Sequence, residues 1–202
     1  MDSVYLYDKY GQPISYDLWR NLVRLIDWVC GEFFARDFDK NGELASDGNI
    51  LSDPLQAILK QESYFQRLPP KSTGTDYFSP AWLQQSGLLD FDKRDLLATL
   101  VELSAISIRQ GLDYLPYPVN ECYVCGGGAH NSHLMQRLQY HLSDSPLSST
   151  AELGIDPDWV EAVAFAWLAR QTLLQQPGNL PSVTNAQKLT ILGAVYFSNG
   201  NC

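Results

Sequence analysis

Apolar residues fall at helical spacing in Leu22, Leu25, Ile26, Val29 and Phe33, which predicts an amphipathic helix within WRNLVRLIDWVCGEFF. Before it, SVYLYDKYGQPISYD reads as two short strands around an Asp-Lys-Tyr-Gly turn, with Pro13 at a strand start or edge. Gly42 in DKNGELASDG marks the turn beyond the helix, and Leu51 to Leu59 suggests a second, shorter one. Asp95 to Leu115 predicts a long helix whose apolar face runs through Leu97, Leu100, Val101, Ser104, Ile108 and Leu112. ECYVC then reads as a strand, GGGAHN as a turn and SHLMQRLQYHL as a helix, a strand–turn–helix unit of the α/β kind.

The remaining segments are punctuated by turn residues. SYFQRLPPKSTGTDYFSPAWL carries three prolines, one glycine and interleaved aromatics, so it reads as an ordered loop lying against the body. SDSPLSS reads as a polar connector. Ile155 to Gln175 reads as the most apolar helix of the chain, with Asp156 and Pro157 as its N-cap and first-turn residues. After the proline-rich QPGNLPSVTNA, KLTILGAVYF closes the chain as a β-rich run. No internal repeat or low-complexity tract interrupts this order. The pattern predicts one domain over 1–202, with the Val4–Tyr16 hairpin antiparallel, a strand at Glu121–Cys125, and helices on both faces of a mixed sheet.

Composition narrows the class of partner. With 202 residues, 45% of them apolar, the chain can bury a sizeable core. A net charge of −9 and a pI near 4.6 exclude a surface built for nucleic acid or an anionic membrane, which would repel it at long range. The longest apolar run, Ala162 to Ala169, is far short of a membrane span, and MDSVYLYDKYG has no basic region followed by an apolar stretch. The chain reads as cytoplasmic, with Cys30, Cys122, Cys125 and Cys202 as free thiols. The spacing of Cys122 and Cys125 matches metal and redox pairs, but on a strand residues three apart face opposite sides, and no second ligand pair completes a site. No metal site is expected.

Two features point to chemistry. One glycine would turn a strand into a helix, so Gly126, Gly127 and Gly128 together provide a backbone that a flat or anionic ligand can approach closely. Their place, at the carboxyl end of a strand and the start of a helix, is where α/β folds bind ligands. Glu161 is the only charge between Asp158 and Arg170, and its helical neighbours Ala164, Phe165 and Leu168 are apolar. A carboxylate on the apolar side of a buried helix needs something polar to meet it. Lys71-Ser72-Thr73-Gly74 lacks the glycine spacing of a phosphate loop, and His130, His133 and His141 have no metalloprotease spacing.

Several stretches together resemble one family, the anhydro-N-acetylmuramic acid kinases of bacterial cell-wall recycling. They are LIDWVCGEFF with FDKNGELASDG, PPKSTGTDYF, ATLVELSA, CYVCGGGAHNSHLMQRL, LGIDPDWVEAVAFAWLA, and PGNLPSVTNA with LGAVY. The resemblance implies the sugar kinase, Hsp70 and actin fold, in which two ribonuclease-H-like lobes clamp ATP with Mg2+; this chain looks like the C-terminal lobe. It implies that Gly126, Gly127 and Gly128 lie against the adenosine, that Asn131 opens the next helix, and that Glu161 faces the pocket for 1,6-anhydro-N-acetylmuramic acid.

The departures bear on activity. The family's N-terminal phosphate loop and its aspartate general base have no counterpart here, so no catalytic residue is expected in this chain. The lobe's own Asp-Thr-Gly-Pro-(Gly/Ala)-Asn motif is replaced by Asp17-Leu-Trp-Arg-Asn21, and an indole and a guanidinium cannot reproduce a glycine-lined phosphate cradle. Thr75 stands where the family has a basic residue, and Asn185 where it has glycine. The implied reaction opens the anhydro ring with water while the freed oxygen takes the γ-phosphate of ATP. The expectation is a truncated half, inactive alone; its alternatives are a non-catalytic binding or scaffold protein, or one half of a split enzyme completed by a separate N-terminal lobe. The expected partners are the sugar and such a lobe or a second copy, with no nucleic acid and no membrane.

Overall fold

A computed structural model describes residues 5–7, 13–15, 18–68, 76–114, 118–143, 145–181 and 186–196. The chain opens with strands β1 (Tyr5–Tyr7) and β2 (Pro13–Ser15), paired antiparallel with Leu6 opposite Ile14, as the hairpin pattern predicts. Helix α1 (Leu18–Phe34) follows, and a 3-10 turn over Lys40–Gly42 leads into the short α2 (Glu43–Ser46). Leu22, Val23, Leu25, Ile26, Val29 and Cys30 of α1 are buried, and Trp28 is partly buried against them. Phe33, expected on the same face, is 41% exposed; it packs edge-on against Trp28, and the Lys93 ammonium lies 5.0 Å from its ring centre.

Helices α3 (Ser52–Gln61), α4 (Ser63–Gln66) and α5 (Pro80–Gln85) come next. The aromatic-rich loop does lie against the body where it is described, because Tyr64, Phe65, Tyr77, Phe78 and Trp82 pack edge-on or tilted on one another. Glu62 organises this cluster: it accepts from the Tyr77 hydroxyl at 2.5 Å, Trp82 Nε1 at 2.9 Å and Tyr64 N at 3.1 Å. Burial alone would raise its pKa, but these hydrogen bonds outweigh it and hold the carboxyl below its ordinary 4.5. Lys71–Gly74 and Thr75 lie outside the described residues.

Helix α6 (Lys93–Leu112) is the axis of the molecule. The sequence predicts one buried face, but every residue from Leu96 to Ala105 is buried, because α1, α2 and α7 (Ser132–Leu142) surround it. Its hydroxyls are satisfied within the helix: Thr99 Oγ1 donates to Asp95 O at 2.7 Å and Ser104 Oγ to Leu100 O at 2.7 Å. Glu102, with a side chain 7% exposed, accepts both Nε and Nη2 of Arg137 at 2.6 and 2.8 Å, and lies 2.8 Å from His141 Nε2. This polar clasp, made in an otherwise apolar interface, locks α7 onto α6 in one register.

Strand β3 (Cys122–Val124) pairs in parallel with β4 (Leu147–Ser149), Tyr123 opposite Ser148. The second strand falls within the expected polar connector; a three-residue strand carries no alternation to read, and backbone pairing alone creates it. The expected single mixed sheet is not formed among the described residues: they hold two separate two-stranded pieces, one antiparallel and one parallel, in a mostly helical molecule. Helix α8 (Val160–Leu173) begins after a 3-10 turn at Pro157–Trp159, with Asp156 accepting from Asp158 N as expected of a cap. Contrary to expectation, none of its residues is buried, because no described element covers it on the side away from Leu192. Contrary to expectation, the described part of KLTILGAVYF forms no strand and bends at Lys188 and at Gly193, whose φ is +86°, since β propensity needs a neighbouring edge to become a ladder. Among the described residues no helix is long and apolar enough to cross a membrane.

Candidate functional site: a cleft at the glycine turn

Strand β3 delivers the chain to Gly126, whose φ of +76° and ψ of −174° only glycine adopts readily. Its N–H donates to Pro157 O at 2.8 Å, so the turn is fastened from behind to the segment that opens α8. Gly127–His130 form a single 3-10 turn, and Asn131 then caps α7, its side-chain oxygen accepting Leu134 N at 3.0 Å. The predicted strand, turn and Asn-opened helix are all present.

The opposite wall comes from α1, through Val23, Ile26 and Asp27, and from the turn Asp37–Asn41. Between the walls lies a cleft of about 440 Å³ that Gly127, Gly128, His130, Asn131 and Leu134 complete. Its floor is apolar, and the ring of Phe38, 57% exposed, stands at its lip where it can stack on a planar group. Asp27, Asp37, Lys40 and Asn41 supply polar edges. Asp39 also borders the cleft, but its carboxylate is committed to the N-terminus of α2, accepting Leu44 N at 2.9 Å and Ala45 N at 3.0 Å.

The two walls meet at Gly42. Its φ is +74°, and a Cβ there would stand 2.4 Å from Asn131 Oδ1 and 2.5 Å from His133 Cβ. The turn after α1 therefore packs directly on the cap of α7, which sets the width of the cleft. Sequence reading marked Gly42 only as a turn and assigned nothing to Asp27, Phe38 or Lys40. The signal for them is tertiary, since α1 and the glycine turn are about a hundred residues apart in sequence.

Of the residues singled out in the sequence, Gly127, Gly128 and Asn131 line the cleft, and Gly126 is the hinge behind it. Glu161 is half-buried on the first turn of α8 and outside the lining. The same region is tied to the glycine turn a second time, since His130 Nε2 lies 3.0 and 3.1 Å from the two Asp158 oxygens. Asp17 and Asn185 lie outside the described residues, while Leu18–Asn21 already belong to α1. A helix therefore begins where the resemblance implies a glycine-lined phosphate loop. Cys122 and Cys125 are both buried, and burial pushes the Cys122 thiol up to about 11. The Cys30 thiol is pushed to about 12, by burial first and then by Asp39 and Asp27.

A cleft of this volume, with an apolar floor, an aromatic lip and a glycine wall, suits a nucleoside. Among the described residues no group of three His, Cys, Asp or Glu side chains is placed to hold a metal ion.

A glycine turn at the carboxyl end of a strand, closing a cleft with a capped helix, is the small-molecule site typical of α/β proteins. Comparison with known proteins makes this particular. The family described as Anhydro-N-acetylmuramic acid kinase matches residues 11–198. The chain is 45% identical over 174 residues to the anhydro-N-acetylmuramic acid kinase of Coxiella burnetii (strain Dugway 5J108-111), which covers 86% of this chain and 46% of that protein. Similar matches are the enzymes of the same name from Psychrobacter cryohalolentis, 41% identical over 207 residues (98% of this chain, 46% of the relative), and Hahella chejuensis, 45% over 174 (85% and 46%). The chain belongs to the anhydro-N-acetylmuramic acid kinase family, and it spans about half the length of these curated relatives.

Proposed function

We propose that this chain is the C-terminal, nucleotide-binding part of an anhydro-N-acetylmuramic acid kinase, a single domain over 1–202. In this reading its two small sheets are the remnant of a ribonuclease-H-like mixed sheet flanked by helices. The observation that carries the proposal is the cleft in which Gly127, Gly128 and Asn131 face α1 and Phe38, in a chain of this family.

In the reading proposed, the glycine wall lets the adenosine of ATP approach the backbone, Phe38 stacks on the base, and Asn131 holds the wall through the cap of α7. Glu161 faces 1,6-anhydro-N-acetylmuramic acid and accepts hydrogen bonds from its hydroxyls, orienting the ring. ATP, when bound, supplies the phosphoryl group that passes to the sugar oxygen freed when water opens the anhydro bridge. This chain positions the two reactants, and the groups that move protons and stabilise the transferring phosphate come from outside it. Magnesium, when bound with ATP, would be held mainly by the phosphates of the nucleotide and by water. The setting proposed is the cytoplasm, where the anhydro sugar and ATP meet. The alternative, a binding or scaffold protein of the same fold, predicts the same cleft without turnover in any combination.

Because only the nucleoside side is built, ADP and ATP should bind alike and weakly, with a dissociation constant well above micromolar, weaker than about −8 kcal/mol. Amide NMR of the full chain titrated with millimolar ADP should move Gly127, Gly128 and Asn131, and Gly128→Val should abolish the shifts. Shifts confined to other parts of the chain, or none at all, would sink the nucleotide reading.

A further inference from the structure

Helix α7 carries its basic side chains on one face. His133, Arg137 and His141 recur every four residues, so they stack along the side that packs on α6 and on the turn Lys40–Gly42. The last two meet Glu102, which accepts from Arg137 and lies 2.8 Å from His141 Nε2. His133, the first of the three, stands one turn N-terminal of that clasp, at the second position of the helix. Gly42 packs on it there, since a Cβ on Gly42 would stand 2.5 Å from His133 Cβ.

This contact joins the two walls of the cleft. Gly42 ends the turn that begins with Asp37–Asn41 and bears Phe38 and Lys40, while the residues just before His133 are Gly127–Asn131 of the opposite wall. Moving the turn off His133 therefore moves Phe38 away from Gly127 and Gly128. His133 is half-buried at this junction, and the acids that face it are already engaged. Asp39, in the turn, accepts Leu44 N and Ala45 N, and Glu102, on α6, holds Arg137 and His141. Arg137, one turn along the same helix, faces it with a positive charge.

A proton on this imidazole is unfavourable. It places a positive charge in the first turn of a helix, beside a guanidinium and partly removed from water. Burial first, and then repulsion by Arg137, hold the His133 pKa below its ordinary 6.5 against the pull of Asp39 and Glu102. Because the folded value is the lower one, the closed junction keeps its full stability above about pH 6.5 and loses it as pH falls through the folded value. Separating the turn from α7 is the direct way to hydrate the charged ring.

We propose that His133 is a pH-sensitive wedge between the two walls of the cleft: neutral, it lets the turn at Gly42 close on α7, and protonated, it draws water into the junction and widens the cleft, so that nucleoside binding weakens as pH falls. The inference rests on the nucleotide reading for its ligand and on the Gly42–His133 contact for its mechanism. His130 is the competing group, since it lines the cleft and pairs with Asp158. The two act in opposite senses. A protonated His130 strengthens its bond to Asp158 and fastens the glycine wall, whereas a protonated His133 loosens the wall opposite.

The test uses the full chain and adenosine, which has no group that titrates between about pH 5 and 8. Amide NMR should give a dissociation constant at least about twofold larger at pH 5.5 than at pH 7.5, and saturating adenosine should lower the pKa of the His133 ring, as linkage requires. His133→Gln should remove the pH dependence, and His130→Gln should keep it. Equal affinity at both pH values, a dependence that survives in His133→Gln, or one that vanishes in His130→Gln overturns the proposal. If His133→Gln does not fold, the ring titration of the unaltered chain decides alone: an identical His133 pKa with and without adenosine overturns the wedge. If adenosine binds at neither pH, the nucleotide reading has failed, and the wedge is read on the chain without ligand. There the Overhauser contact from Gly42 Hα to His133 Hβ should fade as pH falls through the His133 midpoint, and its persistence overturns the proposal.

Discussion

Single residues carry two of the decisive constraints. Gly42 is fixed by conformation and by space: its φ is positive, and Asn131 Oδ1 occupies the place of a Cβ. Gly42→Ala should destabilise the chain by at least about 1–2 kcal/mol from left-handed strain alone, and displacing the Asn131 cap should add about 1 kcal/mol. Denaturant unfolding measures the sum, and an unchanged midpoint would show that the turn relaxes freely. Glu102 is the second. Burial would raise its pKa, but hydrogen bonds from Arg137 and His141 outweigh burial and hold the carboxyl below its ordinary 4.5. Because the folded value is the lower one, the clasp stabilises the fold fully above about pH 4.5, and that stabilisation is lost as pH falls through the folded value. Glu102→Met should orphan Arg137, which is a quarter exposed, and cost about 3 kcal/mol at neutral pH. The variant should also lose part of the wild type's drop in stability below pH 4.5; an identical acid profile would deny Glu102 this role. Glu161, half-buried in the first turn of α8, favours the helix dipole only modestly, so Glu161→Gln should move stability by less than about 1 kcal/mol. A larger loss would make it an internal structural partner and end its reading as a sugar-facing carboxylate.

Among elements, α6 and α8 are the informative contrast. Leu100 is fully buried at the centre of α6, and Leu100→Ala should cost about 2–5 kcal/mol in chemical denaturation. Phe165→Ser in α8, where the ring is 65% exposed, should change stability by less than about 1 kcal/mol while reducing self-association. Periodicity located both helices, and the local sequence placed Asp156 as the cap of the turn that opens α8, because capping and helical spacing are local properties. It could not tell that α6 would be enclosed on all sides while α8, among the described residues, is flanked only on the side of Leu192, since that depends on which other elements arrive. β4 was invisible for the same reason, a leucine and two serines becoming a strand only because β3 lies beside them.

In the whole molecule, α1, α6 and α7 form the cooperative body, and α8 with 188–196 hangs from it through the Gly126–Pro157 hydrogen bond and the His130–Asp158 pair. Native-state hydrogen exchange should therefore show amides of Leu96–Ala105 opening only with global unfolding and those of α8 opening at a clearly lower free energy. Equal protection in both would mean that the chain covers α8 itself. The sequence by itself determined the family, the longer helices α1, α3, α6, α7 and α8, the hairpin and the strand before the glycine run, because motifs, caps and periodicity are written in neighbouring residues; it missed α2, α4 and α5, short helices inside segments read as turn or loop. Only the tertiary structure decided that Phe38, Asp27 and Lys40 face that glycine run, that Glu102 is clasped by Arg137 and His141, and that no described element covers the far side of α8. Those facts rest on contacts between residues tens to a hundred positions apart, and no local pattern encodes which distant surfaces meet.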